Sequence, residues 1–230
     1  MNTSLLLRPR ILVALPSYNE ATTLPQTLTS LIAAGYSDIL VVNDGSTDNT
    51  RAVLADFPVA TLHHPTNLGQ GAAVKSAMLW ALENQYDVLV TFDADGQHHP
   101  HDIAALVAPV LAGQADVVLG HRVSGDMPWI RRLANAAASK LLAWRHSLPY
   151  RDTQSGLRAF RVSALSGAVL PAADRFDFQT LVLIALAQSG LRGTEVPVSV
   201  SYTPYSQTKA HRYTWTGAFG VLYRALTLGL

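Results

Sequence analysis

Residues 88–102, VLVTFDADGQHHPHD, change abruptly from an apolar run to a group of polar side chains. The run ends in two carboxylates, Asp93 and Asp95, and these are followed by Gln97 and three histidines. Near-continuous Val and Leu over such a short length is typical of a strand that is covered on both faces of a parallel sheet. We therefore expect a buried strand here, with a polar loop at its carboxyl end.

Similar apolar runs alternate with helix-like segments through residues 1–120. The runs begin near Arg10, Asp38, Val59, Asp87 and Ala115, and the segments between them carry helical spacing or helix-capping residues. Strands that are regularly separated by helices predict an α/β fold with a doubly wound, mostly parallel sheet.

The rhythm changes after about residue 125, where the elements become less regular. The pattern there predicts a long basic helix (128–147), a short strand (154–162), a buried helix (176–190) and a last strand (194–202). No internal repeat or low-complexity linker interrupts the chain, and we expect one domain.

The composition excludes several classes of protein. The 230 residues are 49% hydrophobic and 14% charged, which is enough for a large core and too apolar for a disordered chain. No cysteine is present, which excludes disulfides and thiolate chemistry. The sequence has neither a signal-peptide pattern nor an apolar run of about 20 residues, so we expect a protein of the cytoplasm or of the cytoplasmic membrane face.

Charge is distributed unevenly between the two parts of the chain. Residues 1–120 contain 4 basic and 11 acidic side chains (4 − 11 = −7), whereas residues 121–230 contain 13 basic and 5 acidic ones (13 − 5 = +8). This is either chance clustering of solvated charge or a cation site in the first part and an anionic partner for the second. The basic residues are dispersed and no recognition module is evident, so we expect no nucleic-acid partner.

Polar loops follow three of the predicted strands. They contain Pro16–Glu20, Asn43–Ser46 and Asp93–Gln97, and ligands of open α/β sheets bind where such loops leave the carboxyl ends of the strands. Alternate side chains of an extended segment point the same way, so Asp93, Asp95 and Gln97 could bind one divalent ion, Mg²⁺ or Mn²⁺.

Other interpretations of this loop remain open. Asp-Gly also marks a turn, and the carboxylates could cap the following helix. A calcium loop is excluded by the missing terminal glutamate, and a zinc site at His98, His99 and His101 has no evident further ligands. Residues 67–75, NLGQGAAVK, could either hold an anion at a helix N-terminus or form an ordinary loop entry.

Six stretches together resemble the family 2 glycosyltransferases with the A-type nucleotide-sugar fold. They are LPSYNEATTLPQTL, VVNDGSTDNT, NLGQGAAVKSA, FDADGQHHP, GHR and DTQSGLRAFR, and they lie in the family's order between Ile11 and Lys209. Within the family the sequence is most similar to the dolichol-phosphate and polyprenyl-phosphate sugar transferases, which include mannosyltransferases.

The resemblance implies a role for individual residues. The implied nucleotide-binding residues are Pro16, Tyr18, Glu20, Val42, Asp44, Asp93, Ala94 and Lys209. The implied metal ligands are Asp93, Asp95 and Gln97. The implied catalytic residues are Asp95, Arg122, Arg131 and Asp152, and those near the acceptor phosphate are Arg122, Arg131 and Asn135. Ser155 and Gly156 complete the family's Asp-x-x-Ser-Gly block.

The resemblance also implies an activity. It is the transfer of a sugar, with inversion, from a nucleoside-diphosphate sugar (GDP-mannose or UDP-hexose) to a polyprenyl phosphate, with a divalent metal. Two alternatives remain: transfer to a hydroxyl of a glycan, glycolipid or small molecule, and a catalytically silent nucleotide-sugar-binding subunit.

The sequence departs from the family pattern at two places. The helix after the Ser-Gly block has Gln179 and Leu181 where acidic residues are common, which favours a phosphate acceptor that needs no base. In the late loop TPYSQTK, Thr203 takes the place of an arginine, although Lys209 remains.

The end of the chain is predicted to be a separate element. We expect a catalytic domain over residues 1–210 and an amphipathic helix over 211–230, where Trp215, Phe219, Leu222 and Leu226 recur at helical spacing. Such a helix could lie on a membrane, form a homodimer contact or pack on the core.

Overall fold

The computed structural model describes residues 8–123, 139–141, 144–175 and 177–201. Arg131, Asn135, Lys209 and the predicted helix over 211–230 lie outside the described residues, so the expectations for them, and the domain boundary at residue 210, stay predictions.

The described elements follow the alternation that the sequence predicts. The strands are β1 (Ile11–Ser17), β2 (Ile39–Asn43), β3 (Ala60–His63), β4 (Val88–Thr91), β5 (Val117–Arg122), β6 (Arg158–Arg161) and β7 (Gly193–Val198). The helices are α1 (Leu24–Ala33), α2 (Thr50–Leu54), α3 (Gln70–Glu83), α4 (Asp102–Leu111), α5 (Val162–Leu165) and α6 (Phe178–Gln188). Residues 139–141 and 144–146 are also helical.

The seven strands form one sheet in the order β3-β2-β1-β4-β6-β5-β7. All neighbours are parallel except β6, which runs antiparallel to both β4 and β5. The α/β prediction with a mostly parallel sheet is therefore confirmed. The reversed direction of β6 places its first residue, rather than its last, at the edge of the sheet where β4 and β5 end.

Hydrophobic cores cover both faces of the sheet. Alternate residues of β1 point into opposite cores. Leu12 and Ala14 lie in the core beneath α3 and α6, and Val13 and Leu15 lie in the core beneath α1 and α4. This two-sided burial explains why the strands are apolar at nearly every position. Of the helices described, none combines the length and apolar character that crossing a membrane requires.

Candidate active site

Polar residues collect at the edge of the sheet where β1, β2, β4 and β5 end and β6 begins. The loop after β1 is joined to the loop after β2 through Asn19, a non-glycine residue with φ of 55°. Its side-chain oxygen accepts the N–H of Thr47 at 2.8 Å, and its own N–H donates to Ser46 Oγ at 2.9 Å. The two loops therefore form one rim beside the edge.

The predicted nucleotide-binding residues of this rim differ in exposure. Tyr18 is 41% exposed and Pro16 is partly buried at the end of β1. Glu20 is buried, and its carboxylate accepts the hydroxyl of Thr23 at 2.9 Å. Val42 lies inside the core under α3. Tyr18 is thus the member of this group whose side chain is open to a ligand.

Asp44 lies at the same edge, but its carboxylate is already hydrogen-bonded to other residues of the chain. It is buried and accepts three hydrogen bonds: from His64 Nδ1 at 2.7 Å, the Leu68 N–H at 2.9 Å and the Gly69 N–H at 2.8 Å. Nε2 of the same histidine lies 2.9 Å from Ser76 Oγ on α3. Asp44 therefore holds the 64–69 loop against the sheet.

The first turns of α3 also bind another part of the chain, at Asp174. The Ala72 N–H donates to the carbonyl oxygen of Asp174 at 3.0 Å, and Lys75 pairs with the carboxylate of the same residue. Gly69, with φ of 110°, packs so closely on Asp174 that a methyl group would overlap its carbonyl. These contacts favour the loop-entry interpretation of NLGQGAAVK over an anion site.

The loop after β4 contains the predicted metal ligands. Asp95 Oδ1 accepts the Gln97 N–H at 3.2 Å, and the carbonyl of the buried Ala94 accepts Thr27 Oγ1 at 3.3 Å. The far side of the loop is held by the chain after β7, where the Ser201 N–H donates to the Gln97 carbonyl at 2.9 Å. The Asp-x-Asp-x-Gln segment is therefore fixed at both ends.

Two side chains and a glycine surround the Asp93 carboxylate. His98 Nε2 lies 3.2 Å from Oδ2, and Gln70 Nε2 at the start of α3 lies 3.5 Å from Oδ1. Gly156 packs directly on this carboxylate, and a methyl group there would overlap both oxygens, with Oδ1 at 2.6 Å. Only glycine at position 156 leaves room for the carboxylate in this position.

The donor set of this loop fits a hard divalent cation. Two carboxylates and an amide oxygen from Asp93, Asp95 and Gln97 suit Mg²⁺ or Mn²⁺, which commonly keep water or substrate-phosphate ligands as well. Within the described residues no group of three or more His, Cys, Asp and Glu side chains could enclose a metal. An ion held by this set would keep coordination positions open for water or a substrate phosphate.

Arg122 and Asp152 form a bidentate ion pair at the end of β5. Nε donates to Oδ2 at 2.6 Å and Nη2 donates to Oδ1 at 2.9 Å. The carboxylate of Glu195, on β7, accepts the N–H groups of Arg151 and Asp152 at 2.6 and 3.0 Å. The structure thus brings these two predicted catalytic residues together and anchors the loop that carries Asp152.

Arg158, the first residue of β6, is completely buried. Its guanidinium donates to the carbonyl oxygens of Ser155 (2.8 Å), Gln179 (2.6 Å) and Thr153 (3.0 Å). Burial lowers the pKa of Arg158 to about 10, so the side chain remains charged at neutral pH.

The start of α6 lies against this loop, as the bond to the Gln179 carbonyl shows. Gln154 Nε2 donates to Thr180 Oγ1 at 2.8 Å, while Gln179 and Leu181 are themselves buried. No residue of α6 is acidic, but Asp177, at its N-cap position, is a buried carboxylate.

Three features of the site are absent from the sequence prediction. They are the contact between Gly156 and Asp93, the contact between His98 and Asp93, and the burial of Arg158. Gly156 and Arg158 both lie within the quoted stretch DTQSGLRAFR. The sequence carries no local signal for either feature, because Arg158 falls inside the predicted short strand (154–162) and the partner of Gly156 is distant along the chain.

Comparison with known proteins identifies the family. The family model described as Glycosyl transferase family 2 matches residues 12–164. An undecaprenyl-phosphate mannosyltransferase of Micrococcus luteus is 36% identical over 207 residues, which cover 83% of this chain and 83% of that protein. A UDP-N-acetylglucosamine--dolichyl-phosphate N-acetylglucosaminyltransferase of Methanococcus voltae is 31% identical over an alignment 243 positions long, gaps included, that covers 95% of each protein.

Solved structures have the same fold. The crystal structure of glucosyl-3-phosphoglycerate synthase from Mycobacterium tuberculosis, in complex with Mn²⁺, uridine diphosphate and phosphoglyceric acid, gives a TM-score of 0.71 at 20% sequence identity. The match covers 96% of this chain and 80% of that one. This likeness shows the A-type glycosyltransferase fold, as the sequence predicts. With a family model over most of its length and relatives above 30% identity, the chain belongs to glycosyl transferase family 2.

Proposed function

We propose that this chain transfers a hexose, with inversion, from a nucleoside-diphosphate sugar to a polyprenyl phosphate in a reaction that needs Mg²⁺ or Mn²⁺. One observation carries the proposal: the loop of Asp152 and Gly156 supplies a partner to Arg122 and packs on Asp93. The carboxylate that we assign to the metal and the arginine that we assign to the acceptor phosphate therefore contact the same loop. The names of the Micrococcus and Methanococcus relatives support the lipid-phosphate acceptor.

The chemistry of such a transfer is balanced without an added base. An oxygen of the acceptor phosphate, already anionic at neutral pH, forms a bond to the anomeric carbon. The bond from that carbon to the diphosphate breaks, and the nucleoside diphosphate leaves with its electron pair. A divalent ion, when bound at Asp93 and Asp95, offsets the negative charge of the diphosphate.

The residues of the chain have distinct tasks in this scheme. Tyr18, which is 41% exposed, offers its ring at the rim where a nucleoside would lie. Arg122, oriented by Asp152, supplies positive charge for the acceptor phosphate. The absence of acidic residues within α6 is consistent with a nucleophile that has no proton to lose.

The test is a transfer assay with chemically defined substrates. Purified protein is incubated with UDP-glucose, UDP-N-acetylglucosamine or GDP-mannose and a short-chain polyprenyl phosphate, with Mn²⁺, with Mg²⁺ or with EDTA. We expect product with one donor, in a metal-dependent reaction, with the anomeric configuration inverted. Asp95→Asn removes one carboxylate of the metal site and should abolish most of the activity. Asp56→Asn, at an exposed carboxylate away from the site, is the matched control.

Three outcomes contradict the proposal in different ways. Full activity in EDTA would contradict the metal dependence. A product that keeps the donor's anomeric configuration would contradict the single displacement. Binding of a nucleotide without transfer to any acceptor instead supports the silent subunit.

A peripheral membrane contact is part of the proposal, because the acceptor is a lipid. Trp144 is 80% exposed and Leu141 is 37% exposed on the helical residues 139–141 and 144–146. Lys140 and Arg145, which are also exposed, adjoin Leu141 and Trp144 in sequence. An exposed Trp beside basic residues is typical of contact with an anionic lipid surface.

Vesicle flotation tests this contact. We expect the protein to float with anionic vesicles and to do so less with neutral ones, and Trp144→Ala should reduce the bound fraction. Val169→Ala, at an apolar residue that is 82% exposed elsewhere, is the control. Equal flotation of Trp144→Ala and wild type would assign any membrane contact to another part of the chain.

Transfer to a hydroxyl is the second candidate, and Asp177 is the observation that favours it. A hydroxyl acceptor requires a general base, and Asp177 is a buried carboxylate at the N-cap of α6, two residues before Gln179, whose carbonyl accepts a hydrogen bond from Arg158. Asp177→Asn distinguishes the candidates in the same assay. Transfer to a hydroxyl that is lost in Asp177→Asn supports the second, whereas unchanged transfer to a phosphate supports the first.

A further inference from the structure

We propose that Arg158 is a positioning residue for the metal ligand Asp93 and that it acts through the backbone of Gly156. This inference rests on the proposed metal dependence and goes beyond it, because neither Arg158 nor Gly156 is itself a ligand. Both residues instead determine where the carboxylate lies before any ion binds.

Arg158 fixes the loop from inside the protein. Its three hydrogen bonds reach the carbonyl oxygens of Thr153 and Ser155, which bracket the loop, and of Gln179, which belongs to α6. Within the part of the chain that the structure describes, the buried hydroxyl of Ser155 has no hydrogen-bond partner, so this side chain does not share the task. The guanidinium thus anchors the backbone of residues 153–155 from inside, together with the hydrogen bonds of Gln154 to Thr180 and of Thr153 to Ser139.

The anchored loop then bears on Asp93. The Gly156 carbonyl accepts Thr91 Oγ1 at 2.7 Å, which ties the loop to β4 just before the aspartate. The backbone of Gly156 closes one side of the Asp93 carboxylate, and His98 Nε2, at 3.2 Å from Oδ2, lies against it as well. A carboxylate confined in this way loses little conformational freedom when it takes up a cation.

The position of Arg158 in the sheet makes this arrangement possible. Because β6 is antiparallel, its first residue lies at the edge that carries the site, opposite Thr91 of β4. Its last residue, Arg161, lies at the other edge and likewise donates hydrogen bonds to neighbouring groups there. It bonds the Asp116 carboxylate at 2.9 Å and the carbonyls of Val110 and Ala115, both at 3.0 Å.

Arg161 therefore provides a matched control for Arg158. Both arginines join a strand end to neighbouring carbonyls, but only Arg158 contacts the loop beside Asp93. The Arg161 side chain is 29% exposed, so its replacement is the milder one for stability, but a purely structural role predicts that neither Arg158→Lys nor Arg161→Lys changes the Mn²⁺ affinity of the folded protein. A positioning role predicts that only the former affects the metal.

Gly156→Ala tests the contact of the same loop with Asp93 without altering a buried charged side chain. The added methyl group would overlap the carboxylate of Asp93 and must displace it. Gly167→Ala is its control, since a methyl group there meets nothing within 4 Å.

The experiment measures binding of Mn²⁺ directly, by electron paramagnetic resonance of free Mn²⁺, in the presence of UDP and separately of GDP. We expect Arg158→Lys and Gly156→Ala to weaken Mn²⁺ binding by about 10- to 100-fold, as changes beside metal ligands commonly do. Arg161→Lys and Gly167→Ala should bind as wild type does. Transfer assays should show the same two variants recovering activity as Mn²⁺ is raised.

The possible results separate this inference from the proposed function. Wild-type Mn²⁺ affinity in folded Arg158→Lys and Gly156→Ala overturns the positioning role and leaves the transferase intact. A wild-type protein that binds no Mn²⁺ with either nucleotide overturns the metal dependence and the inference together. If Arg158→Lys does not fold, Gly156→Ala decides alone.

Discussion

The guanidinium of Arg122 and the carboxylate of Asp152 form two hydrogen bonds of 2.6 and 2.9 Å, in the fork geometry that orients an arginine most strictly. Glu195 holds the backbone on the carboxylate side of this pair. The ion pair thus joins β5, the loop before β6, and β7. Its geometry sets the direction of the positive charge that the proposed acceptor phosphate meets.

Asp152→Asn should lower kcat/KM for the acceptor by about 10- to 100-fold. The amide keeps the shape of the side chain but accepts only one of the two charge-assisted hydrogen bonds, each worth about 1.5–3 kcal/mol. Steady-state kinetics with varied acceptor and a saturating donor measure the effect. Affinity for the nucleoside diphosphate should remain close to that of wild type.

Asp116→Asn is the control for this variant. It removes a similar carboxylate–arginine contact at the opposite edge of the sheet, where Asp116 pairs with Arg161 and Arg192. It should affect stability without a specific effect on the acceptor. An Asp152→Asn enzyme whose donor affinity falls as far as its acceptor kinetics would contradict the assignment.

Asp44→Ala should destabilise the fold by about 2–4 kcal/mol. Two backbone N–H groups, of Leu68 and Gly69, and the ring of His64 would lose their acceptor inside the protein. Urea denaturation at neutral pH measures the change in the free energy of unfolding. Asp56→Asn, at an exposed carboxylate, should change it by less than about 0.5 kcal/mol.

A second measurement separates this structural role of Asp44 from the nucleotide contact that the sequence predicts. Leu68 and Gly69 need an acceptor, and Asn can still provide one oxygen. Asp44→Asn should therefore recover part of the stability. If Asp44→Asn is fully stable and yet fails to bind UDP or GDP, the nucleotide contact is the dominant role.

Much of the fold follows from local pattern in the sequence. Apolar runs such as residues 88–91 predict strands that are covered on both faces, and the two cores confirm this covering. The direction of β6 could not be predicted in the same way, because a short strand has the same pattern in either direction. Its orientation depends on pairing with β4 and β5, which are distant in sequence.

The site was predictable only in part, for a related reason. Asp93, Asp95 and Gln97 are close together in sequence and occupy alternate positions, so the pattern predicts that they share one ligand. The packing of Gly156 on Asp93 joins residues 63 positions apart, and the exclusion of a methyl group there is a three-dimensional fact. The burial of Arg158 is equally invisible in sequence, since its partners are backbone carbonyls that any residue could supply.

Gly71→Ala should destabilise the fold by about 1–3 kcal/mol. Gly71 is the position at which α3 meets the start of α6, and a methyl group would lie 2.5 Å from Cβ of Phe178. Overpacking of this kind forces a shift of backbone or side chains. Thermal denaturation measures the loss of stability, and Gly167→Ala is the control that should melt as wild type does. Equal melting temperatures of Gly71→Ala and wild type would mean that α3 and α6 can move apart at little cost in free energy.

Stability below pH 5 should depend on Asp116. Hydrogen bonds from Arg192, and also from Arg161, hold the pKa of Asp116 at about 2, below its ordinary value of 3.8. A carboxyl whose pKa is lower in the folded state stabilises the protein above its unfolded-state pKa, and it loses that contribution as the pH falls toward the folded value. The main partner, Arg192, is 58% exposed, so solvent screens part of the interaction, and the contribution is about 1 kcal/mol at pH 5 and smaller at pH 3. Urea denaturation of wild type and Asp116→Asn at both pH values measures the gap between them, which should narrow at pH 3; a gap that stays constant would show that the carboxyl titrates alike in the folded and unfolded chains.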